Sequence, residues 1–310
     1  MIRTLLSVAL LVLASRAAWA QGVEELQRMI KERDAKIREL TERIDALERK
    51  KTEPEDEEMN RALERALVQQ GGLLLRAPSY ELQPELSYAH WDKSRGLLRH
   101  ESEAALSLRA GLPWESQVQV RVPYVHLATA AGSATGLGDI GFSLSKQFVR
   151  ESGFLPGLVG SLGWLSRTGK DGFDGGVPTG GGFNVPQAGL TAVKRADPLV
   201  FYGGVSYAAP RARQIAGSKV DPGDTTGLRF GSILAASPET SVNVGLNLGF
   251  VSTTRVDGQP VPDSDTVLGT LQIGFGSILT RRVMLNVSGE FRVSGSVPNF
   301  RLTATLPIRF

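Results

Sequence analysis

The chain has 310 residues, a formal net charge of +3 and no cysteine. So small a charge excludes an electrostatic nucleic-acid surface, and no nucleic-acid partner is expected. Without cysteine, an exported chain draws its stability from burial or from a closed hydrogen-bond network.

Residues 1–20 have the grammar of a signal peptide. Arg3 supplies a positive start, Leu5 to Leu13 a short apolar core, and Ala18-Trp19-Ala20 a cleavage site. The apolar core falls short of the roughly 20 residues a membrane-spanning helix needs. No cysteine follows the site to carry a lipid. The mature chain is expected to begin at Gln21.

Residues 21–51 carry heptads. With Val23, Ile30, Ile37 and Ile44 at position a, Leu26, Arg33, Leu40 and Leu47 fall at d, and only Arg33 breaks the seam. β-branched residues at a with Leu at d favour a parallel dimer. Against that, Arg43-Ile44-Asp45-Ala46-Leu47-Glu48 resembles a trimer motif, in which Arg43 would pair with Glu48 of a neighbouring chain while its stem covers the seam. The trimer is favoured.

Residues 52–72 form a linker and a second helix. Pro54 ends the heptads. Met59, Ala62, Leu63, Ala66 and Leu67 then make a narrow apolar stripe, with Arg61, Glu64 and Arg65 off it, until Gly71-Gly72 stops the helix.

From residue 73 to 310 the period falls to 2. The sequence predicts an all-β barrel of about twelve antiparallel strands at 79–90, 99–112, 115–128, 137–149, 154–167, 184–194, 199–209, 225–236, 240–252, 265–277, 281–293 and 298–310. In 241–250, Val242, Val244, Leu246, Leu248 and Phe250 alternate with Ser241, Asn243, Gly245, Asn247 and Gly249. In a soluble sandwich the apolar face would be core; in a transmembrane barrel it faces lipid. Connections alternate too. Leu112-Pro113-Trp114 and Ser237-Pro238-Glu239 are tight, whereas Asp171–Phe183 and Arg211–Asp224 are long, as expected of turns inside and loops outside an outer membrane. Aromatics make up only 7% of the chain, so its interfacial girdles are sparse.

The polar face supplies the expected lumen lining: Arg109, Gln117, Gln119, Arg121, Asn243, Asn247, Asn286, Ser288, Glu290 and Arg292. The second helix carries both signs of charge, which would pair with Arg109, Arg121 or Glu290. Catalytic motifs are missing: no Gly-x-Ser-x-Gly elbow or phosphate loop occurs. The three histidines, His90, His100 and His126, have no metal-ligand spacing along the sequence. No enzyme, metal or cofactor is expected. Aspartates in the long loops are ordinary turn residues first and cation or lipopolysaccharide contacts second.

Arg61-Ala62-Leu63-Glu64-Arg65-Ala66-Leu67-Val68, then Gly71-Gly72-Leu73-Leu74-Leu75 and Glu81 to Tyr88, resembles the barrel entry of the functional-amyloid secretion channels of the Fap system. Gly136-Leu137-Gly138-Asp139-Ile140 is similar to a motif of the wider barrel family named after the meta-pathway of phenol degradation. The terminal Phe310, with apolar residues two, four and six positions before it, resembles the signal read by the outer-membrane barrel assembly machinery.

The resemblance implies a homotrimer joined by a periplasmic coiled coil, with residues 53–72 as a plug and with unfolded amyloid subunits exported through the lumen. The alternatives are a passive uptake channel for small aromatic or hydrophobic molecules and a barrel-anchored tether for a periplasmic partner. The final strand is expected to pair with the first near Tyr80–Tyr88, since an open edge in lipid would leave backbone groups unsatisfied.

Overall fold

A computed structural model describes residues 31–43, 64, 67, 68, 71–92 and 99–310. The chain divides into two units, Met1–Glu57 and Glu58–Phe310. In the first, residues 31–43 are helical and exposed throughout. Arg43 pairs with Glu39 one turn earlier, at 3.3 Å. Ile37 and Leu40 present their side chains to solvent, 60% and 51% exposed. The signal peptide, Val23, Leu26, Ile30, Ile44, Leu47 and Glu48 lie outside the described residues, as do Met59, Arg61, Leu63 and Arg65 of the second helix.

The second unit is a closed antiparallel barrel. Its wall runs β1 (Tyr80–Trp91), β2 (Arg99–Leu112), β3 (Ser116–Thr129), β4 (Gly132–Leu137), β5 (Gly141–Val149), β6 (Gly157–Leu165), β7 (Val185–Ala196) and β8 (Leu199–Ala208). Two short strands, β9 (Arg213–Ile215) and β10 (Ser218–Asp221), leave the wall, which resumes with β11 (Thr225–Ala235) and β12 (Thr240–Val251). After a second excursion, β13 (Arg255–Val256) and β14 (Gln259–Pro260), it ends with β15 (Thr266–Ile278), β16 (Met284–Ser294), β17 (Phe300–Thr305) and β18 (Ile308–Arg309). β4 and β5 are two pieces of one wall strand, both pairing with β3. β17 and β18 likewise both pair with β1. Counted this way, the wall has twelve strands, each paired to its neighbour in sequence.

The wall closes where the alternation requires it. His90 faces Phe300 and Glu81 faces Arg309 in register. Phe310 N–H donates to Tyr80 O at 2.8 Å, and Tyr80 N–H returns a bond to Phe310 O at 3.4 Å. Every edge of the wall is therefore consumed, which is what a hydrocarbon environment demands of backbone groups.

The distribution of side chains decides between sandwich and membrane barrel. Leu86, Leu106, Leu108, Phe142, Leu144, Leu162, Phe201, Phe230, Val244 and Phe275 all stand exposed on the outside, Leu86 at 65% and Leu162 at 64%. Glu81, Gln83, Ser107, Arg109, Gln117 and Thr191 are buried inside. A soluble sandwich would invert this. A continuous apolar belt around a polar interior matches an outer-membrane barrel.

One end of the barrel has short turns. Trp114 and Glu115, both at positive φ, make the β2–β3 turn. The other end carries the long connections, and two of them contribute β9, β10, β13 and β14 to a separate four-stranded sheet. The sequence places strand 4 at 137–149, but pairing with β3 begins at Gly132 and is interrupted at Gly138–Ile140.

Candidate functional site

The interior is asymmetric, and β1 is the reason. Its inward positions Glu81, Gln83 and Glu85 alternate with Leu82, Pro84 and Leu86. Register sets Glu81 opposite Arg109 of β2, and Arg109 opposite Gln119 of β3. Arg109 Nη1 donates to Glu81 Oε1 at 3.1 Å and its Nε to Gln119 Oε1 at 3.2 Å, while Arg309 Nη2 donates to Glu81 Oε2 at 3.1 Å. Further along, Arg121 lies between two carboxylates, donating to Glu85 Oε1 at 2.7 Å and to Glu103. Nearest the loop end, Glu101 accepts from Arg99 at 2.8 Å and from Arg301 at 3.3 Å. Five arginines and four glutamates thus form three rungs along one wall. Of these pairs, only Arg109–Glu81 is fully buried, and there removing one member strands its partner.

Arg109 and Arg121 are held by strand carboxylates, while Arg61 and Arg65 of the second helix lie outside the described residues. The glutamates were legible as the polar half of β1 and β2; their pairing depends on register between strands and is not written locally. The remaining residues of the expected lining are distributed around the wall. Asn286 Nδ2 donates to Thr305 Oγ1 at 3.3 Å, Asn247 Nδ2 to Thr270 Oγ1 at 3.5 Å, and Arg292 Nη1 to Val297 O at 3.4 Å. Glu290 is in register with Gln272 on one side and Arg301 on the other. Asn243 stands opposite Ile233 and Gly274.

At the turn end the opposite wall is apolar. Val193 of β7, Val200 and Tyr202 of β8, and Ile233 and Ala235 of β11 form a buried cluster with Leu67, which is 1% exposed. Leu67 and Val68 are helical, and that helix ends in a paired cap: Gly71 N–H donates to Val68 O at 3.1 Å and Gly72 N–H to Leu67 O at 2.9 Å. Gly71 has φ +67°, the left-handed conformation such a cap requires. Gly72 sits so close to Val193 that a Cβ would overlap its Cγ2. The chain then crosses to the charged wall, where Leu75 N–H donates to Gln117 Oε1 at 2.9 Å in a buried bond. Leu75 and Arg76 carbonyls lie against Gly111, where a Cβ would approach to 2.6 Å. The segment around Leu67–Arg76 therefore lies between the two walls at the turn end. A cavity of about 760 Å³ remains beside it, bordered by Glu64, Trp114, Arg150 and Arg195.

At the loop end the connection 166–183 folds over the break between β4 and β5. Asp139 accepts from Gly169 N–H at 2.9 Å and from Gly181 N–H at 2.7 Å. Thr168 Oγ1 donates to Gly138 O at 2.8 Å and accepts from Ile140 N–H at 2.9 Å, and Thr179 Oγ1 donates to Leu137 O at 2.9 Å. The Gly138-Asp139-Ile140 part of the motif thus interrupts the wall strand, and the loop supplies the hydrogen bonds that the missing ladder would have made. Asp171 fixes the same loop to β9 through Arg213. That hydrogen bond holds the Asp171 carboxyl below its ordinary range, assisted by Phe173 N–H. Beneath the loop is a cavity of about 600 Å³, with Phe173, Phe183 and Pro178 above Arg99, Glu101 and Arg121.

The histidines all project outward. His126 Nδ1 meets Thr135 Oγ1 at 2.6 Å. His90 and His100 face one another across the β1–β2 pair. Among the described residues, no group of three or more His, Cys, Asp or Glu side chains is arranged to hold a metal ion.

This is the architecture of an outer-membrane β-barrel, nearly all strand, with a polar interior. No family model matches the sequence. The fold is similar to that of an outer-membrane channel from Pseudomonas putida F1, at 14% identity and a TM-score of 0.68, covering 77% of this chain and 97% of that one. The translocator domain of the autotransporter NalP from Neisseria meningitidis gives a TM-score of 0.49 at 12% identity, covering 81% of this chain and 94% of that one. The fold fits an outer-membrane location.

Proposed function

We propose that the chain is an outer-membrane channel held shut by its own N-terminal segment. The burial of Leu67 and Val68 inside the wall supports this most directly, because a helix end seated in a lumen obstructs it. The turn end then faces the periplasm, as it does in barrels with short periplasmic turns. The heptads around Ile37 and Leu40 join chains there, in agreement with the exposure of these two large apolar side chains on the 31–43 helix. The resemblance to the Fap channels makes the assembly a trimer and the cargo unfolded amyloid subunits. Such a cargo needs width and a polar wall without a stereochemical pocket, and the arginine–glutamate wall meets that need.

A second reading is favoured by one observation. The cavity under Phe173 and Phe183 combines aromatic faces with charged groups, which suits a small amphipathic molecule entering from outside. Deleting residues 53–72 tests the closure: single-channel conductance in planar bilayers rises, and an unchanged conductance refutes it. Proteoliposomes then separate the cargos. The deletion variant translocates an unfolded repeat-rich polypeptide on the first reading. On the second it passes small aromatic solutes and retains the polypeptide.

A further inference from the structure

Strand register brings together two imidazoles that sequence spacing keeps ten residues apart. His90 of β1 and His100 of β2 are directly opposed. Their Nδ1 atoms are 3.2 Å apart, and Tyr88 Oη lies 2.8 Å from His100 Nδ1. The rings do not merely stack as a girdle would. The ring planes are tilted by 36° with centroids 4.7 Å apart, and the two Nδ1 atoms make the close approach. Phe300 packs against both His90 and Tyr88, with centroids 5.6 and 6.0 Å away, and limits how far either ring can turn. Tyr88 and His90 flank Ala89, which is buried on the inner face, so the three donors project from the outer surface near the loop end.

We propose that His90 and His100, with Tyr88 beside them, form a binding site for one divalent first-row transition ion on the outer rim of the barrel. Imidazole nitrogens sit about 2.0–2.1 Å from such an ion, so two of them on a tetrahedral ion are about 3.3 Å apart. The observed separation meets this with no movement of either strand. Without an ion, two nitrogens this close share at most one proton between them. An ion satisfies both lone pairs at once. Water completes the coordination, and the Tyr88 hydroxyl, 2.8 Å from the same His100 Nδ1, is placed to join it. The donor set selects by softness: Cu²⁺ binds most tightly, Ni²⁺ and Zn²⁺ follow, and Mg²⁺ and Ca²⁺, which prefer oxygen cages, do not compete.

Titration of the untagged, folded full-length chain with Cu²⁺, Zn²⁺ and Mg²⁺ by calorimetry tests the site, with electron paramagnetic resonance of the Cu²⁺ form. One equivalent of Cu²⁺ per chain is expected, with hyperfine splitting from two nitrogens and no Mg²⁺ competition. His90→Ala and His100→Ala each weaken it at least tenfold, Tyr88→Phe weakens it less than either, and His126→Ala leaves it unchanged. Barrel folding is followed in each variant by its heat-dependent mobility on gels. Stoichiometric binding that survives in the folded His90→Ala/His100→Ala double variant overturns the proposal. So does a folded parent chain that binds no ion, or a Cu²⁺ spectrum without nitrogen splitting.

Discussion

Replacing Leu67 with Ala isolates the contact that seats the N-terminal segment. Leu67 is 1% exposed and packs on Val193, Val200, Tyr202, Ile233 and Ala235. Truncating a buried Leu to Ala costs about 2–5 kcal/mol, because the surrounding side chains only partly close the space. At about 1.4 kcal/mol per factor of ten, the equilibrium between seated and vacated lumen moves by about 30- to 4,000-fold. The vacated bore is wide. Twelve strands spaced about 4.8 Å apart and tilted about 40° enclose a backbone radius of about 12 Å. Planar-bilayer recordings of Leu67→Ala therefore show open events whose frequency rises steeply over the parent and whose amplitude approaches that of the 53–72 deletion. Leu86→Ala, on the lipid side and 65% exposed, is the matched control and leaves the record unchanged. A Leu67→Ala channel as quiet as the parent, beside a deletion that conducts, refutes the argument that this contact holds the segment. A wall that melts earlier in Leu67→Ala refutes it differently, by showing that Leu67 supports the wall itself.

Gly72→Val is expected to act in the same direction, since its side chain overlaps Val193; overpacking costs about 1–3 kcal/mol, and the same recordings read it. Glu81→Gln leaves Arg109 and Arg309 without their shared carboxylate, so the barrel loses about 3–5 kcal/mol of wall stability, measured as a lower melting midpoint in detergent. Asp139→Ala removes the acceptor of Gly169 and Gly181 N–H, each bond to a charged group being worth about 1.5–3 kcal/mol; hydrogen exchange in residues 166–183 rises while that in β12 does not. The Asp171 carboxyl is depressed by Arg213, so its anchorage is complete above the ordinary value of 3.8 and is lost as pH falls through the lower, native value. Exchange in the 166–183 loop accelerates below that point in the parent chain, and Asp171→Asn shows the loosened loop already at neutral pH.

The twelve wall strands were legible because their information is local. Val242 to Phe250 and Leu302 to Phe310 alternate with period 2, and the alternation survives closure unchanged. Alternation alone does not say which face is core; the exposed Leu86, Leu162 and Phe275 settle that, because they follow from closing the sheet on itself. What escaped the sequence was non-local. Gly132–Leu137 has no apolar stripe of its own and is a strand only because β3 offers it a ladder. The interruption at Gly138–Ile140 is tolerated because Thr168, Thr179, Gly169 and Gly181 return from about 30–40 residues away. Both Arg211–Asp224 and the 252–265 connection were expected as plain loops, yet Lys219 N–H on Asp257 and the Val220–Val256 pair join them into a sheet. The glutamates of β1 and β2 carried no signal beyond polarity until register set them against Arg109 and Arg121.

That register bears on how a plugged barrel releases its plug. Had Arg109 and Arg121 drawn their counter-charges from the N-terminal segment, its departure would strand two guanidinium groups in the lumen, at about 3–5 kcal/mol for each broken pair. Their carboxylates belong instead to β1 and β2, inside the wall. On the proposed reading, the described contacts that hold the segment are the apolar seat of Leu67 and neutral bonds such as Leu75 N–H to Gln117, worth about 1 kcal/mol. The wall retains its charge pairs in both states. On that reading, these contacts keep the lumen filled yet can part without unfolding the barrel. The double variant Glu81→Gln/Leu67→Ala separates the two roles: wall stability and lumen occupancy are expected to change additively, because Glu81 and Leu67 pack on opposite walls. A strongly non-additive result would mean that the segment and the rung form one network, and that release of the segment must break the wall.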